Sequence, residues 1–199
     1  MAEEREETDI QKVLELLSFQ ATIHLTRGYQ TMEETRKLVE EIGVVVRIGD
    51  GLTLLHIAAQ SNRIDVADYL LEKEHPLEMK TKVGETPLDQ ACWVGSVDVA
   101  LALLKAGADP NCQTQMGYSP LHRCAFYDHP ELAYHLLKHC ANPDLKDFTE
   151  KQTPYEVAVT KGNRQMEEIL KPGTTLPQIE EILKKYEAIK RAAIRGEEE

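Results

Sequence analysis

Seven histidines and four cysteines are the side chains of this chain best suited to metal ligation or proton transfer, and they stand in a strongly acidic background. The densest group is His129, His135, His139 and Cys140. His135 and His139 are four residues apart, a spacing that on a helix turns both rings to one face and lets them reach a single ion. The sequence supplies no defined set of further ligands beside them, so they are read as surface histidines, and no metal or other cofactor is expected. Cys92, Cys112, Cys124 and Cys140 form no CxxC pair and are expected to be free thiols, mostly buried, as in a reducing compartment. No glycine-rich phosphate loop, nucleophile elbow, metalloprotease pair or kinase signature is present, so no catalytic residue is assigned and no enzyme is expected.

The elements that position these residues come from an internal repeat. Gly51, Gly84 and Gly117 are spaced by 33 (84 − 51 and 117 − 84) and open the similar phrases GLTLLHIAAQ, GETPLDQACWVG and GYSPLHRCAFYD. A fourth copy, Thr153-Pro154-Tyr155-Glu156-Val157-Ala158, begins 34 residues after Ser119, which places a one-residue insertion near Phe148 to Gln152. A fainter copy comes first, with Ile23-His24 standing 32 residues before Leu55-His56. This period and phrase resemble the ankyrin repeat, whose signature is T-P-L-H-x-A. The resemblance covers roughly residues 19–171 and implies an all-α fold: an ankyrin-repeat α-solenoid with short β-hairpin finger loops and capping helices.

Local physical chemistry agrees with that reading. Thr or Ser caps the first helix of each clear unit, and proline follows at the first helical position, where its missing N–H is not needed; Leu54 replaces that proline in one unit. The small pairs Ala58-Ala59, Ala91-Cys92 and Cys124-Ala125 allow close helix approach, and Leu70-Leu71, Leu103-Leu104 and Leu136-Leu137 are expected to bury against the next repeat. Gly107 suits a left-handed helix end, a position held by Glu74 and Cys140 in neighbouring units, where strain or a different cap is expected.

The expected organisation is an acidic N-terminal segment and capping helix over 1–18, then five repeats over 19–171. Their approximate bounds are 19–50 (degenerate), 51–83, 84–116, 117–150 and 151–171. Lys171-Pro172-Gly173 stops the last repeat, and a C-terminal capping helix is expected over 174–195, with an acidic tail over 196–199. Thr8-Asp9-Ile10-Gln11 and Thr175 to Gln178 have the form of capping boxes. Ile179, Ile182, Leu183, Tyr186 and Ile189 mark one face of the last helix, to cap the stack or to bind a partner.

The resemblance also implies where function sits. In ankyrin-type stacks the concave side is the usual binding face, and the residues after the small pair project into it. These are Gly28 and Tyr29, Gln60 and Ser61, Trp93 and Val94, Phe126 and Tyr127, then Thr160 and Lys161. Trp93 is the only tryptophan and Phe126 one of three phenylalanines; clustered on an exposed face they read as an interface hot spot, or else as a rim of the core. Tyr118 belongs near them at a finger base, with Lys80, Lys82 and Val83 on one fingertip and Gln113, Gln115 and Met116 on the next. His56 and His122 take the histidine position of the phrase, which in the family makes an inter-repeat hydrogen bond; His24 is assigned likewise, and Asp89 and Glu156 replace it elsewhere.

The expected function is therefore non-enzymatic protein binding on the concave face, as an adaptor, inhibitor or assembly chaperone. An apolar palm beside a basic tip suits a short segment or helix that is both acidic and hydrophobic. The alternative is a structural or self-associating scaffold that uses the terminal helices. The formal net charge of −11, from 34 Asp+Glu against 23 Lys+Arg, disfavours nucleic acid and anionic membranes as partners. With neither a run of about 18 apolar residues nor an apolar N-terminal leader, a protein of the cytoplasm or nucleus is expected; the expected state is a monomer.

Overall fold

A computed structural model of the chain describes residues 49–196 together with Arg36, Lys37, Val39 and Arg47. The N-terminal capping helix expected over 1–18, most of the degenerate first repeat with His24, Gly28 and Tyr29, and the last residues, 197–199, lie outside the described residues. The chain divides into two compact units, Met1–Ala91 with Asp98–Ala108, and Cys92–Val97 with Asp109–Glu199.

Among the described residues the fold is all α, with nine helices. They are α1 (Leu54–Gln60), α2 (Ile64–Glu72), α3 (Pro87–Val94), α4 (Val97–Lys105), α5 (Pro120–Tyr127), α6 (Pro130–Lys138), α7 (Pro154–Lys161), α8 (Arg164–Leu170) and α9 (Leu176–Gly196). None of the described helices is long and apolar enough to cross a membrane. Short helices of this kind are marginal alone and depend on burying one face. Here the small pairs lie inside the fold: Ala58, Ala59, Ala91, Cys92, Cys124 and Ala125 are all fully buried. Of the leucine pairs the first member is buried each time, whereas Leu71 and Leu137 are only half-buried.

The helix starts are built as the sequence indicates. Thr53, Ser119 and Thr153 are extended N-caps, and proline opens α3, α5 and α7. The ends of the second helices share one motif. The N–H groups of Glu74, Gly107 and Cys140 donate to Leu71, Leu104 and Leu137, and the next residue donates to Leu70, Leu103 and Leu136. This closure requires a left-handed residue, and φ is +57° at Glu74, +97° at Gly107 and +65° at Cys140. Two side chains with a Cβ therefore sit where glycine is favoured. Left-handed backbone costs a non-glycine residue about 1–2 kcal/mol, against about 0.5–1 kcal/mol of extra glycine entropy. Glu74→Gly or Cys140→Gly is therefore expected to stabilise the chain by about 0.5–1 kcal/mol in urea unfolding, with Gly107→Ala moving the other way; a loss of stability in both glycine variants would refute the strain.

A second left-handed row escaped the sequence reading. Asn62, Gly95, Asp128 and Gly162 recur at the same 33- or 34-residue spacing, with φ from +49° to +83°, in the turns between first and second helices. Their residue types are those that tolerate this conformation. Each finger is closed by a backbone bond: Thr81 N–H to Glu85 and Thr114 N–H to Tyr118, but Asp147 N–H to Gln152. That closure, one residue longer, accommodates the insertion. There the Asp147 carboxylate accepts the N–H groups of Thr149, Glu150 and Gln152, each at 2.8 Å. Burial alone would raise its pKa, but these bonds and the Thr149 hydroxyl hold it down to about 2.

Within the second unit α9 begins with Thr175 N–H and hydroxyl donating to Gln178 Oε1, at 2.8 and 2.9 Å. It packs on α6 and α8, with Ile179 buried and Ile182, Leu183 and Tyr186 half-buried. Tyr134 donates to Glu180 and Tyr186 donates to Glu168, tying it down at both helices.

Candidate functional site

The histidines of the repeat phrase are structural. In the first unit the Thr53 N–H (3.1 Å) and hydroxyl (2.8 Å) meet Nδ1 of His56, and Nε2 lies 3.0 Å from the Glu85 carbonyl. A carbonyl only accepts, so Nε2 carries the proton and the ring is the neutral tautomer. His122 repeats the arrangement in the second unit with Ser119 and the Gln152 carbonyl. Each ring therefore bonds the finger that leads into the next repeat. Burial pushes His56 down to about 4, against the opposing bond to Glu85 and with His75 and Arg47 adding repulsion. Burial also lowers His122. Where the histidine is replaced, the carboxylate bonds its own cap: Asp89 takes the Thr86 N–H at 2.9 Å and Glu156 the Thr153 N–H at 2.7 Å. His75, which the sequence reading passed over, is also buried; it donates to Pro76 O and burial lowers its pKa.

The His-Cys group does not close on one point. Nδ1 of His139 donates to the His135 carbonyl at 2.9 Å, so the i, i+4 pair completes a helix end. His129 has a different role. Its Nε2 lies 3.3 Å from the Trp93 carbonyl and its ring stacks on Tyr127, centroids 6.5 Å apart. Gly95 makes room for it, because a Cβ there would lie 2.7 Å from the imidazole. Asn163 is the equivalent residue one repeat later and donates to the Ala125 carbonyl at 2.8 Å. His129 and Asn163 thus each cap the end of a helix that carries the exposed aromatics.

Those aromatics form the candidate site of the second unit. Trp93, Phe126 and Tyr127 are 40%, 43% and 39% exposed, beside exposed Val94. Tyr127 lies between the others, with ring centroids 6.4 Å from Trp93 and 4.8 Å from Phe126. Tyr118, half-buried, meets His122 edge-on and, with Arg123, Phe126 and Tyr127, lines a small cavity of about 90 Å³. Cations cover several rings. Lys161 Nζ stands 3.8 Å from the Phe126 centroid, Arg123 lies over Tyr118 at 5.7 Å and Lys151 over Phe148 at 5.7 Å.

Phe148 was missed in the sequence because it sits in the irregular finger that carries the insertion. It is 54% exposed, its N–H donates to the Met116 carbonyl at 2.8 Å, and both residues display apolar side chains on adjoining fingertips. Gln115 is also exposed there, whereas Gln113 is half-buried and donates to the carbonyls of Gly117 and Lys146, tying the two fingers together.

The first unit holds the remaining candidates. Gln60 is half-buried and donates to Gln90 Oε1 at 2.7 Å, and Gln90 in turn donates to Glu85. Ser61 ends α1, and its hydroxyl oxygen is out of reach of solvent. Lys80 and Lys82 are exposed on their fingertip, where Lys82 pairs with Asp50 at 3.2 Å, a surface contact worth little.

Comparison with known proteins gives one family. A family model described as ankyrin repeats (3 copies) matches residues 25–114 and 101–177. No curated protein matches the chain.

Proposed function

The chain belongs to the ankyrin-repeat proteins, and from that premise we propose that it is a non-enzymatic binding module that takes a protein partner on the aromatic face of its second unit. Ankyrin repeats generally mediate protein–protein interaction. The observation that carries the choice of face is the contiguous Trp93–Tyr127–Phe126 cluster, exposed although aromatic residues make up only 6% of the sequence. Exposed aromatic clusters with rigid support are where interface energy concentrates, and His129 and Asn163 supply that support.

The partner's chemistry follows from the cations. Lys161 and Arg123 lie over rings of this face, and Lys151 over Phe148 on a fingertip of the same unit, in a protein of net charge −11. A short segment or helix carrying apolar side chains flanked by carboxylates would bury its apolar groups on the rings and meet these cations at the rim. The role is that of an adaptor, inhibitor or assembly chaperone in the cytoplasm or nucleus, with neither nucleic acid nor membrane as its target.

The test is quantitative affinity capture with mass spectrometry, wild type against Trp93→Ala with Phe126→Ala. Both side chains are substantially exposed, so the fold should persist by circular dichroism while the specific partner drops about tenfold or more. Equal capture by a folded double variant would remove the aromatic face from the function.

A further inference from the structure

The last helix outruns what it packs against. After Tyr186 every residue from Glu187 to Ile194 is exposed, with Ile189 at 54% and Ile194 at 56%. Ile189, Ala193 and Ile194 continue, at helical spacing, the face of Ile179, Ile182, Leu183 and Tyr186 that is covered on α6 and α8. The ten residues after Tyr186 extend that face by about 15 Å. The segment is also basic, with Lys190, Arg191 and Arg195 against Glu187. Lys185 pairs with Glu168 and Arg191 with Glu187, whereas Lys190, four residues from both Tyr186 and Ile194, lies on the apolar face itself.

That charge decides between occupants. Two such helix ends paired face to face would set Lys190 against its own copy, and like charges in contact are destabilising. An apolar surface edged with carboxylates is complementary. The first unit carries one: a groove of about 540 Å³ between α2 and α4, with Leu71 and Leu101 half-buried along it and Asp68 and Asp98 exposed, one on each helix, against a single lining cation, Lys105. Neither aspartate makes an ion pair among the described residues.

We propose that the exposed end of α9 docks into the α2–α4 groove of a second copy of this chain, Ile189 and Ile194 against Leu71 and Leu101, with Lys190 between Asp68 and Asp98. This contact departs from the monomer expected from the sequence, which does not reveal that an apolar face is left uncovered. A ten-residue helix end is well below a standard interface, so the association is weak, with a Kd on the order of 0.1 mM.

Sedimentation equilibrium of the full chain from about 10 μM to about 1 mM reads this directly. The weight-average mass is expected to rise above that of one chain at the upper end and to fall back with added salt. Asp68→Lys with Asp98→Lys should weaken association about tenfold, as should Lys190→Glu alone; all three changes in one chain should restore it. These positions are exposed, so folding is not at stake. A single-chain mass at every concentration overturns the proposal. So does association that survives Asp68→Lys with Asp98→Lys, or a triple variant that fails to recover.

Discussion

Lowering the pH from 7 to 4 is expected to remove several kcal/mol of stability, about 3 kcal/mol of it through His56 alone. The folded ring has a pKa of about 4 against an ordinary 6.5 in the unfolded chain, and each unit of difference is about 1.4 kcal/mol. The cation is disfavoured in the fold, so the unfolded chain binds the proton more readily. The contribution is complete above pH 6.5 and is lost as pH falls toward 4. His122 and His75 are shifted in the same direction by burial and add to the loss. The carboxylates held low, Asp65, Asp147 and Glu156, act in the same sense but only below their ordinary range near pH 4, so the interval from 6.5 to 4.5 belongs to the histidines. Urea unfolding at pH 7, 6, 5 and 4.5 should show stability falling throughout, with a shallower fall in His56→Gln. A flat profile across that interval would mean that the rings are charged or solvated in the fold.

Gly117→Ala is expected to cost about 4 kcal/mol, enough to unfold the finger from Thr114 to Tyr118 if not the whole second unit. The backbone there has φ +81°, which costs a side-chain residue about 1–2 kcal/mol. A Cβ would in addition lie 2.6 Å from the Phe148 backbone nitrogen and 2.7 Å from its ring. The nitrogen cannot swing away without breaking its bond to the Met116 carbonyl. Gly107→Ala is the control: its φ is +97°, yet nothing stands within 4 Å of the added carbon, so only the backbone term applies. Equal losses in the two variants, read by thermal or urea unfolding, would show that backbone conformation governs both and that packing against Phe148 adds nothing.

Much of the architecture is legible in the sequence because it is local and repeated. A threonine or serine before a proline starts a helix wherever it occurs. A 33-residue period brings the same phrase to the same place in each unit, so the roles of His56 and His122 can be read from either copy. Even the row of Asn62, Gly95, Asp128 and Gly162 was available, since residue type and spacing both mark it. It was hidden by its variety, three residue types serving one conformation.

The candidate site was legible only in part. The doublets of Trp93 with Val94 and Phe126 with Tyr127 follow from the repeat register, and the structure brings Trp93, Phe126 and Tyr127 into one cluster. Lys161 and Arg123 became relevant only through their placement over rings. Phe148 lies in the finger whose length departs from the period, so register could not align it with its neighbours.

By itself the sequence determined the family, the helix starts and stops, the hydrogen-bonding repeat histidines and the positions of the exposed doublets, because each depends on spacing within about one repeat. Only the tertiary structure decided that His129 belongs with Trp93 and Tyr127 and not with the His-Cys group, and that α9 is covered as far as Tyr186 and bare beyond it. Those outcomes depend on which surfaces meet across more than 30 residues and on how far a helix runs past its support. Such distances are set by packing, and a hydrophobic pattern reads the same whether or not anything lies against it.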